Sequence, residues 1–248
     1  MKAPATLALA LSLMLAALGA YANEIGGIKL GMSLSQAKNA STVLPNMKAI
    51  PIYTDKVESG VAAFKGKMEY GYSSHGPSDE IIAFKGHADG IWYIQRAQRL
   101  PVSERYTEEV LMDSLLKRFG KDSGVAERNR EKIWFYSKDG KQYIQPAGRN
   151  IAPDSMPCPL SIKTGDNFGL PDPLSVGSRV MSEFKQDCKA IYYVSWQLDA
   201  NKLVSELETI VIDSAAMLKF LNNKNSIEEA QRKQQTQQQI NKGVKPSL

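Results

Sequence analysis

Two histidines could serve this chain as metal ligands or as a general base. His75 and His87 lie on either side of a predicted strand over 81–85. Three carboxylates are close to them in sequence: Asp79, Glu80 and Asp89. Imidazole and carboxylate groups bind catalytic zinc, so this region could belong to a metal-dependent or other hydrolase. A strand of this length separates its ends by about 17 Å. We therefore predict polar turns at the histidines and keep the hydrolase as an alternative.

Other sets of catalytic side chains are incomplete. Ser73, Ser74 and His75 are consecutive, but the G-x-S-x-G elbow of many serine hydrolases is missing from the sequence. Calcium could be ligated by three residues further on: Asp166, Asn167 and Asp172. Their spacing differs from that of an EF-hand loop. The sequence predicts no catalytic residue, no cofactor and no metal ion.

The chain has two cysteines, Cys158 and Cys188. Two lone cysteines in an oxidising compartment usually pair. Cys158 lies between prolines and has neither a helix N-terminus nor a nearby histidine to activate a thiol. We predict a disulfide that ties down a long loop over 146–188, which is rich in Pro, Gly, Asp and Asn.

The first 22 residues have the pattern of a secretory signal peptide. Lys2 is followed by an apolar stretch from Leu7 to Leu18, and Ala20-Tyr21-Ala22 is a small-x-small cleavage site. No cysteine lies at that site to be lipidated, and no later apolar run is long enough to span a membrane. The sequence predicts a non-lipidated periplasmic or secreted protein without a transmembrane segment in its mature chain.

The charge of the chain is mildly basic and evenly distributed. Its formal net charge is +5, and the lysines and arginines alternate with acids. Nucleic-acid binding usually needs a concentrated basic surface, so we predict no nucleic-acid partner. Residues 223–248 form a basic, glutamine-rich tail whose composition is typical of an exposed frayed helix or a disordered segment.

Hydrophobic periodicity divides the remaining sequence into two halves, 23–100 and 101–222. The first half starts with a short strand and a short helix, and a series of alternating strands follows. The second half starts with the strongest helix of the chain, which Pro101-Val102-Ser103 opens and which ends at Phe119. We predict an α+β fold in which helices pack on one face of an antiparallel sheet, with two related halves.

Turn chemistry places hairpins in the second half. Asp139-Gly140 and the segment from Asp199 to Lys202 are typical of tight turns between antiparallel strands. A final helix begins at Ala215, and its apolar stripe thins beyond Asn223.

Aromatic residues on the predicted strands indicate a binding surface. Adjacent residues of a strand point to opposite faces, so one member of each aromatic pair must leave the face beneath the helices. An exposed aromatic set flanked by arginines would suit a protein partner. This candidate surface consists of Trp92, Tyr93, Arg96, Arg99, Tyr192, Tyr193 and Trp196.

Two passages resemble a known family. One runs from Gly27 to Ser33 into a short helix, and the other leads from Leu115 through Gly120 to the strand at Trp134. Together they resemble the α/β repeat of exported bacterial proteins similar to the outer-membrane assembly lipoprotein SmpA/OmlA and of β-lactamase-inhibitor-like domains. The resemblance implies a helix-on-sheet layer and protein binding without catalysis. The chain departs from the lipoprotein pattern in its length and in lacking a lipidated cysteine.

These observations predict an exported binding or envelope-assembly module without enzymatic activity, with a protein partner in the cell envelope. Two alternatives remain open at this point. One is the hydrolase that uses the His75/His87 region. The other is a small-ligand carrier with a cleft between the two halves.

Overall fold

A computed structural model of the chain shows where these elements lie. It describes residues 23–41, 48–54, 57–65, 78–86, 90–125, 130–146, 155–159, 162–164, 179–181 and 184–241. The predicted signal peptide lies outside the described residues, as does much of the predicted loop over 146–188.

The described part contains thirteen strands and three α-helices. The strands are β1 (Glu24–Ile25), β2 (Ile28–Lys29), β3 (Lys48–Thr54), β4 (Val57–Lys65), β5 (Ser78–Lys85), β6 (Ile91–Arg99), β7 (Tyr106–Thr107), β8 (Glu131–Ser137), β9 (Gln142–Tyr143), β10 (Ile162–Thr164), β11 (Arg179–Met181), β12 (Cys188–Leu198) and β13 (Leu203–Asp213). The helices are α1 (Leu34–Ser41), α2 (Glu108–Phe119) and α3 (Ser214–Asn241).

Nine strands form one antiparallel sheet, in the order β3-β4-β5-β6-β13-β12-β8-β9 with β7 beside β13. The strand β6 of the first half pairs with β13 of the second half from Tyr93 to Arg99. The α+β class and the antiparallel sheet are confirmed. The two predicted halves contribute to one continuous sheet.

The helices occupy both faces of the sheet, whereas the sequence predicted helices on one face only. On the first face, Leu34 of α1 and Leu111 of α2 join the core. On the second face, Met217 of α3 packs in a core with Ile191 and Ile212. The predicted Cys158–Cys188 disulfide is confirmed and also lies on the second face. Because both faces are covered, the central strands carry buried apolar side chains on both sides.

The two halves repeat one hydrogen-bonding pattern. The helix-capping residue Ser33 pairs with the residue just before β6, and Thr107 pairs with the first residue of β13. Two positions after Gly90 and Leu203, β6 and β13 each have a bulge, at Trp92 and at Ser205. β6 and β13 then lie side by side and antiparallel, as two copies related by a twofold axis would. This repeat supports the prediction of related halves.

The helices of the first face begin at side-chain caps. Ser33 and Gln36 form a capping box, in which each side chain accepts a hydrogen bond from the backbone N–H of the other. The α2 cap is Thr107, which accepts from the N–H of Val110. The predicted start of this helix at Pro101-Val102-Ser103 is wrong, because Val102–Glu104 form a separate 3-10 helix. Tyr106 and Thr107 must stay extended to pair with β13, so the helix begins only after them.

The two predicted hairpin turns are confirmed, and a carboxylate organises each. Hydrogen bonds from the backbone N–H of Leu203 and from the Arg105 side chain hold the pKa of Asp199 below its usual value. The Ser137 hydroxyl and the Lys141 ammonium lower the pKa of Asp139 to about 2. Both carboxylates bond groups of their own hairpin turns, so these shifts reflect turn structure.

We expect Gly60→Ala to lower the free energy of unfolding by about 2 kcal/mol. A Cβ at Gly60 would lie 2.4 Å from the carbonyl oxygen of Ala83 and 2.9 Å from Cδ1 of Phe84. Both neighbours belong to β5, so the methyl group would force β4 and β5 apart. Urea unfolding measures the change. A loss below about 0.5 kcal/mol, the usual range for a surface substitution, would contradict this packing.

Candidate functional site

The predicted exposed aromatic surface is not formed, because its aromatic side chains lie in the interior. Each is at most 5% exposed: Trp92, Tyr93, Tyr192, Tyr193 and Trp196. The two arginines of that set are only partly exposed. Arg96 donates two hydrogen bonds to the Asp79 carboxylate, and Arg99 lies 3.7 Å from the carboxylate of Glu206. These ion pairs connect neighbouring strands of the sheet.

The burial of the aromatic pairs follows from the covering of both faces. Tyr192 points to the first face, where its ring lies 5.5 Å from that of Phe119 in α2. Tyr193 points to the second face, where its hydroxyl donates to Glu131 at 2.8 Å. The predicted alternation holds for Tyr192 and Tyr193 and fails for Trp92 and Tyr93, which both lie on the second face because β6 has a bulge at Trp92. Neither face is left for solvent.

A row of polar positions crosses the second face of the sheet. Strand register places five residues side by side, and all but Ala97 are polar: Glu80, Ala97, Glu208, Ser195 and Glu131. Glu80 and Glu208 are buried. Burying a carboxylate is costly unless hydrogen bonds compensate for the lost water, so the environment of this row decides its role.

Neighbouring amide and hydroxyl groups satisfy Glu208. The Nε2 of Gln95 donates to one carboxylate oxygen at 2.7 Å, and the Ser195 hydroxyl donates to the other at 3.1 Å. The Tyr93 hydroxyl in turn donates to Oε1 of Gln95 at 2.9 Å. The network joins three strands and fixes their register, because a slip of one residue would move these groups to the opposite face.

The polar row is poorly arranged for metal binding or for shared proton transfer. Glu208 lies two strands from Glu80 and two strands from Glu131, a backbone spacing of about 10 Å in each case. The oxygens of Glu208 already accept from Gln95 and Ser195, and Glu131 accepts from Tyr193, so these carboxylates are engaged within the sheet. Among the described residues, no group of three or more His, Cys, Asp or Glu could hold a metal ion.

The most exposed element is the second part of α3. The helix begins where Asp213 accepts a hydrogen bond from the N–H of Ala216. Met217 is buried, and Phe220 and Leu221 pack against the core of the second face. Every residue from Asn222 to Gln238 is exposed, over about 25 Å of helix. We call Asn222–Gln238 the α3 arm.

Much of the predicted tail is helical and belongs to the α3 arm. The sequence left open whether residues beyond 222 are helical, and the structure continues α3 to Asn241. Ion pairs one helical turn apart lie along the arm, with Lys224 3.9 Å from Glu228 and Lys233 2.7 Å from Glu229. Periodicity could not find this helix because its surface is polar on all sides, whereas its Gln, Lys and Glu residues are good helix formers.

Comparison of the chain with protein-family models, with curated proteins and with solved structures finds no match. The resemblance to SmpA/OmlA-like and β-lactamase-inhibitor-like proteins therefore stays a prediction.

Several residues that were weighed as catalytic or metal-binding candidates lie outside the described residues. These are His75 and His87, the serines Ser73 and Ser74, and the three possible calcium ligands Asp166, Asn167 and Asp172. In the described part of the chain, no helix combines the length and the apolar character that crossing a membrane requires.

Proposed function

We propose that the protein is an exported, periplasmic or secreted, binding or envelope-assembly module without enzymatic activity. Its α3 arm is the contact with a protein partner in the cell envelope. The observation that carries this proposal is the continuous exposure of the helix from Asn222 to Gln238 beyond an anchored first part.

The arm lacks the packing that stabilises most protein helices. Most of that stability comes from burying one face against the rest of the fold, and every residue of the arm is exposed. The Lys224–Glu228 and Glu229–Lys233 pairs add only about 0.2–0.5 kcal/mol each. A partner that packs along the arm would stabilise it, and binding and helix formation would then be coupled. Because the arm presents amides and charges of both signs, we expect the contact to weaken as salt concentration rises.

Two observations favour export. A disulfide is stable in oxidising compartments and rare in the cytosol, and Cys158 and Cys188 are paired and buried. Ile25, three residues after the cleavage site read from the sequence, already lies in the core, as expected if the mature chain starts near Asn23.

Neither alternative function gains support from the described residues. The hydrolase depends on His75 and His87, which lie outside them. The carrier needs a cleft between the halves, but β6 and β13 are hydrogen-bonded to each other at that boundary. The continuous sheet therefore favours a binding module over a carrier.

Site-specific photo-crosslinking tests the proposal. A photoreactive residue at Gln231 or Gln235 in the arm should give one discrete protein adduct in the native cell envelope. The matched control carries the same group at Lys117, an exposed position of α2. Adducts from neither arm position, or the same adduct from the control position, would contradict the proposal.

Removing residues 222–248 should leave the free energy of unfolding within about 0.5 kcal/mol of that of the complete mature chain. The reason is that each residue from Asn222 to Gln238 is exposed. Met217→Ala, by contrast, should lose about 2–5 kcal/mol because Met217 is buried in the core of the second face. Guanidinium unfolding of the three proteins separates an arm used for binding from one needed for folding.

A further inference from the structure

The charged residues of the α3 arm lie on one side of the helix. Successive residues of an α-helix are rotated by about 100°, so residues three and four apart share a face. Viewed down the helix axis, one half of the circumference carries all the charges of the arm: Lys224, Glu228, Glu229, Arg232 and Lys233. The other half of the arm therefore presents an uncharged surface to solvent.

The uncharged half has the spacing of a helix–helix contact. Five exposed residues on it are separated by four, three, four and three positions: Asn223, Ile227, Ala230, Gln234 and Gln237. We call these five residues the arm strip. Their spacing is that of the heptad repeat, through which one helix packs along another. Ile227 is the largest apolar side chain of the strip and is 51% exposed, so a partner would remove much of its surface from water.

Lysines border the arm strip on both sides. Lys224 lies on one border and Lys233 on the other, and both are exposed. The two glutamates lie further round the helix, behind the lysines. Each lysine has an ion pair with one of them, Lys224–Glu228 at 3.9 Å and Lys233–Glu229 at 2.7 Å. Exposed pairs of this kind are weak, so they leave both ammonium groups able to pair with a partner.

We infer that the partner of the α3 arm contributes an α-helix whose contact face is uncharged and bordered by carboxylates. This inference rests on the proposed function and names the chemistry of the partner. The amides of the arm strip favour a partner face with amides and small apolar residues, because a buried amide needs a hydrogen-bonding group opposite it. Carboxylates at the borders would complement Lys224 and Lys233.

Two other occupants fit the arm strip less well. A second copy of this chain would bring only basic borders to the contact, so it would offer no carboxylate to Lys224 or Lys233. An anionic lipid surface needs a helix with a broad apolar face, whereas Ile227 is the one large apolar residue of the strip. An acidic partner helix satisfies both the strip and its borders.

Photo-crosslinking from opposite sides of the arm tests which face binds. A photoreactive residue at Gln234 lies on the arm strip, and one at Thr236 points about 200° away from it. Both positions are exposed, and both variants keep every charge of the arm. In the native cell envelope, we expect severalfold more partner adduct from Gln234 than from Thr236. Mass spectrometry should map the Gln234 adduct to a segment with helical periodicity and acidic residues beside the crosslinked position.

Charge reversal tests the carboxylates of the partner. Lys224→Glu should lower the yield of the Gln234 adduct about tenfold, because it places like charges at one border of the contact. The matched control is Arg232→Glu, which makes the same change of charge on the side away from the arm strip. Both substitutions place a glutamate four residues from Glu228, so both disturb the helix in the same manner. We expect the control to keep the adduct.

Three results would overturn the inference and leave the proposed function intact. These are equal adduct yields from Gln234 and Thr236, equal yields from Lys224→Glu and Arg232→Glu, and a Gln234 adduct that maps to a segment without acidic residues. An adduct with lipid or with a second copy of this chain in place of a partner protein would overturn the inference and the proposed function together. Absence of any adduct from the arm would do the same.

Discussion

Replacing Cys158 and Cys188 together by alanine should lower the free energy of unfolding by about 3–4 kcal/mol. The disulfide closes a loop with a sequence separation of 30, and opening it returns that much loop entropy to the unfolded chain in the chain-entropy model. Cys188 is the first residue of β12, so the bond attaches the long insertion to the start of an inner strand of the sheet. Alanine is the suitable replacement because both sites are buried and would not accommodate an unpaired hydroxyl.

Guanidinium unfolding under oxidising and reducing conditions measures this effect. The reduced natural protein should lose about as much stability as the double variant. The double variant itself should not respond to reductant, since the sequence has no other cysteine. A double variant within about 1 kcal/mol of the natural protein would contradict the loop-entropy argument. Such a result would show that the insertion is held by its other contacts.

The elements that the sequence predicted well are those that depend on local chemistry. The Asp139-Gly140 turn, the turn from Asp199 to Lys202 and the disulfide are all present. In each case the residue types themselves specify the geometry, through turn conformations or through a covalent bond. These features require no knowledge of what packs on the sheet.

The predictions that failed depend on what covers each face. The sequence predicted helices on one face and therefore exposed aromatic residues on the other. In β6, however, the five residues from Ile91 to Gln95 are consecutively buried. A continuous apolar run in a strand is typical of a sheet covered on both sides, so Ile91-Trp92-Tyr93-Ile94 held a signal for the second layer.

The buried polar network could not have been found from the sequence. Gln95 and Glu208 are 113 residues apart, and their contact depends on the pairing of β6 with β13. Neither residue lies in a motif, and each is of a type usually found at the surface. Only the register brings them together, and the same pairing joins the two halves of the chain.

Trp134→Ala should lower the free energy of unfolding by about 3–5 kcal/mol, the range for a large buried aromatic residue. Trp134 is buried on the first face, and its ring lies 4.9 Å from that of Phe119. Its indole N–H donates to the carbonyl oxygen of Gly120 at 3.1 Å, at the end of α2. The start of α2 is fixed in the same manner, since the indole N–H of Trp196 donates to Glu108 at 2.8 Å.

The matched variant Trp134→Phe separates packing from hydrogen bonding. Phenylalanine retains most of the buried ring but cannot donate to Gly120, so we expect a loss of only about 1–2 kcal/mol. If both variants lost the same amount, the indole hydrogen bond and not the buried ring would hold α2 to the sheet. Photo-crosslinking through Gln231 should be unchanged in Trp134→Phe, because the arm belongs to α3 on the second face. Loss of the adduct in this folded variant would place part of the binding surface on α2 instead.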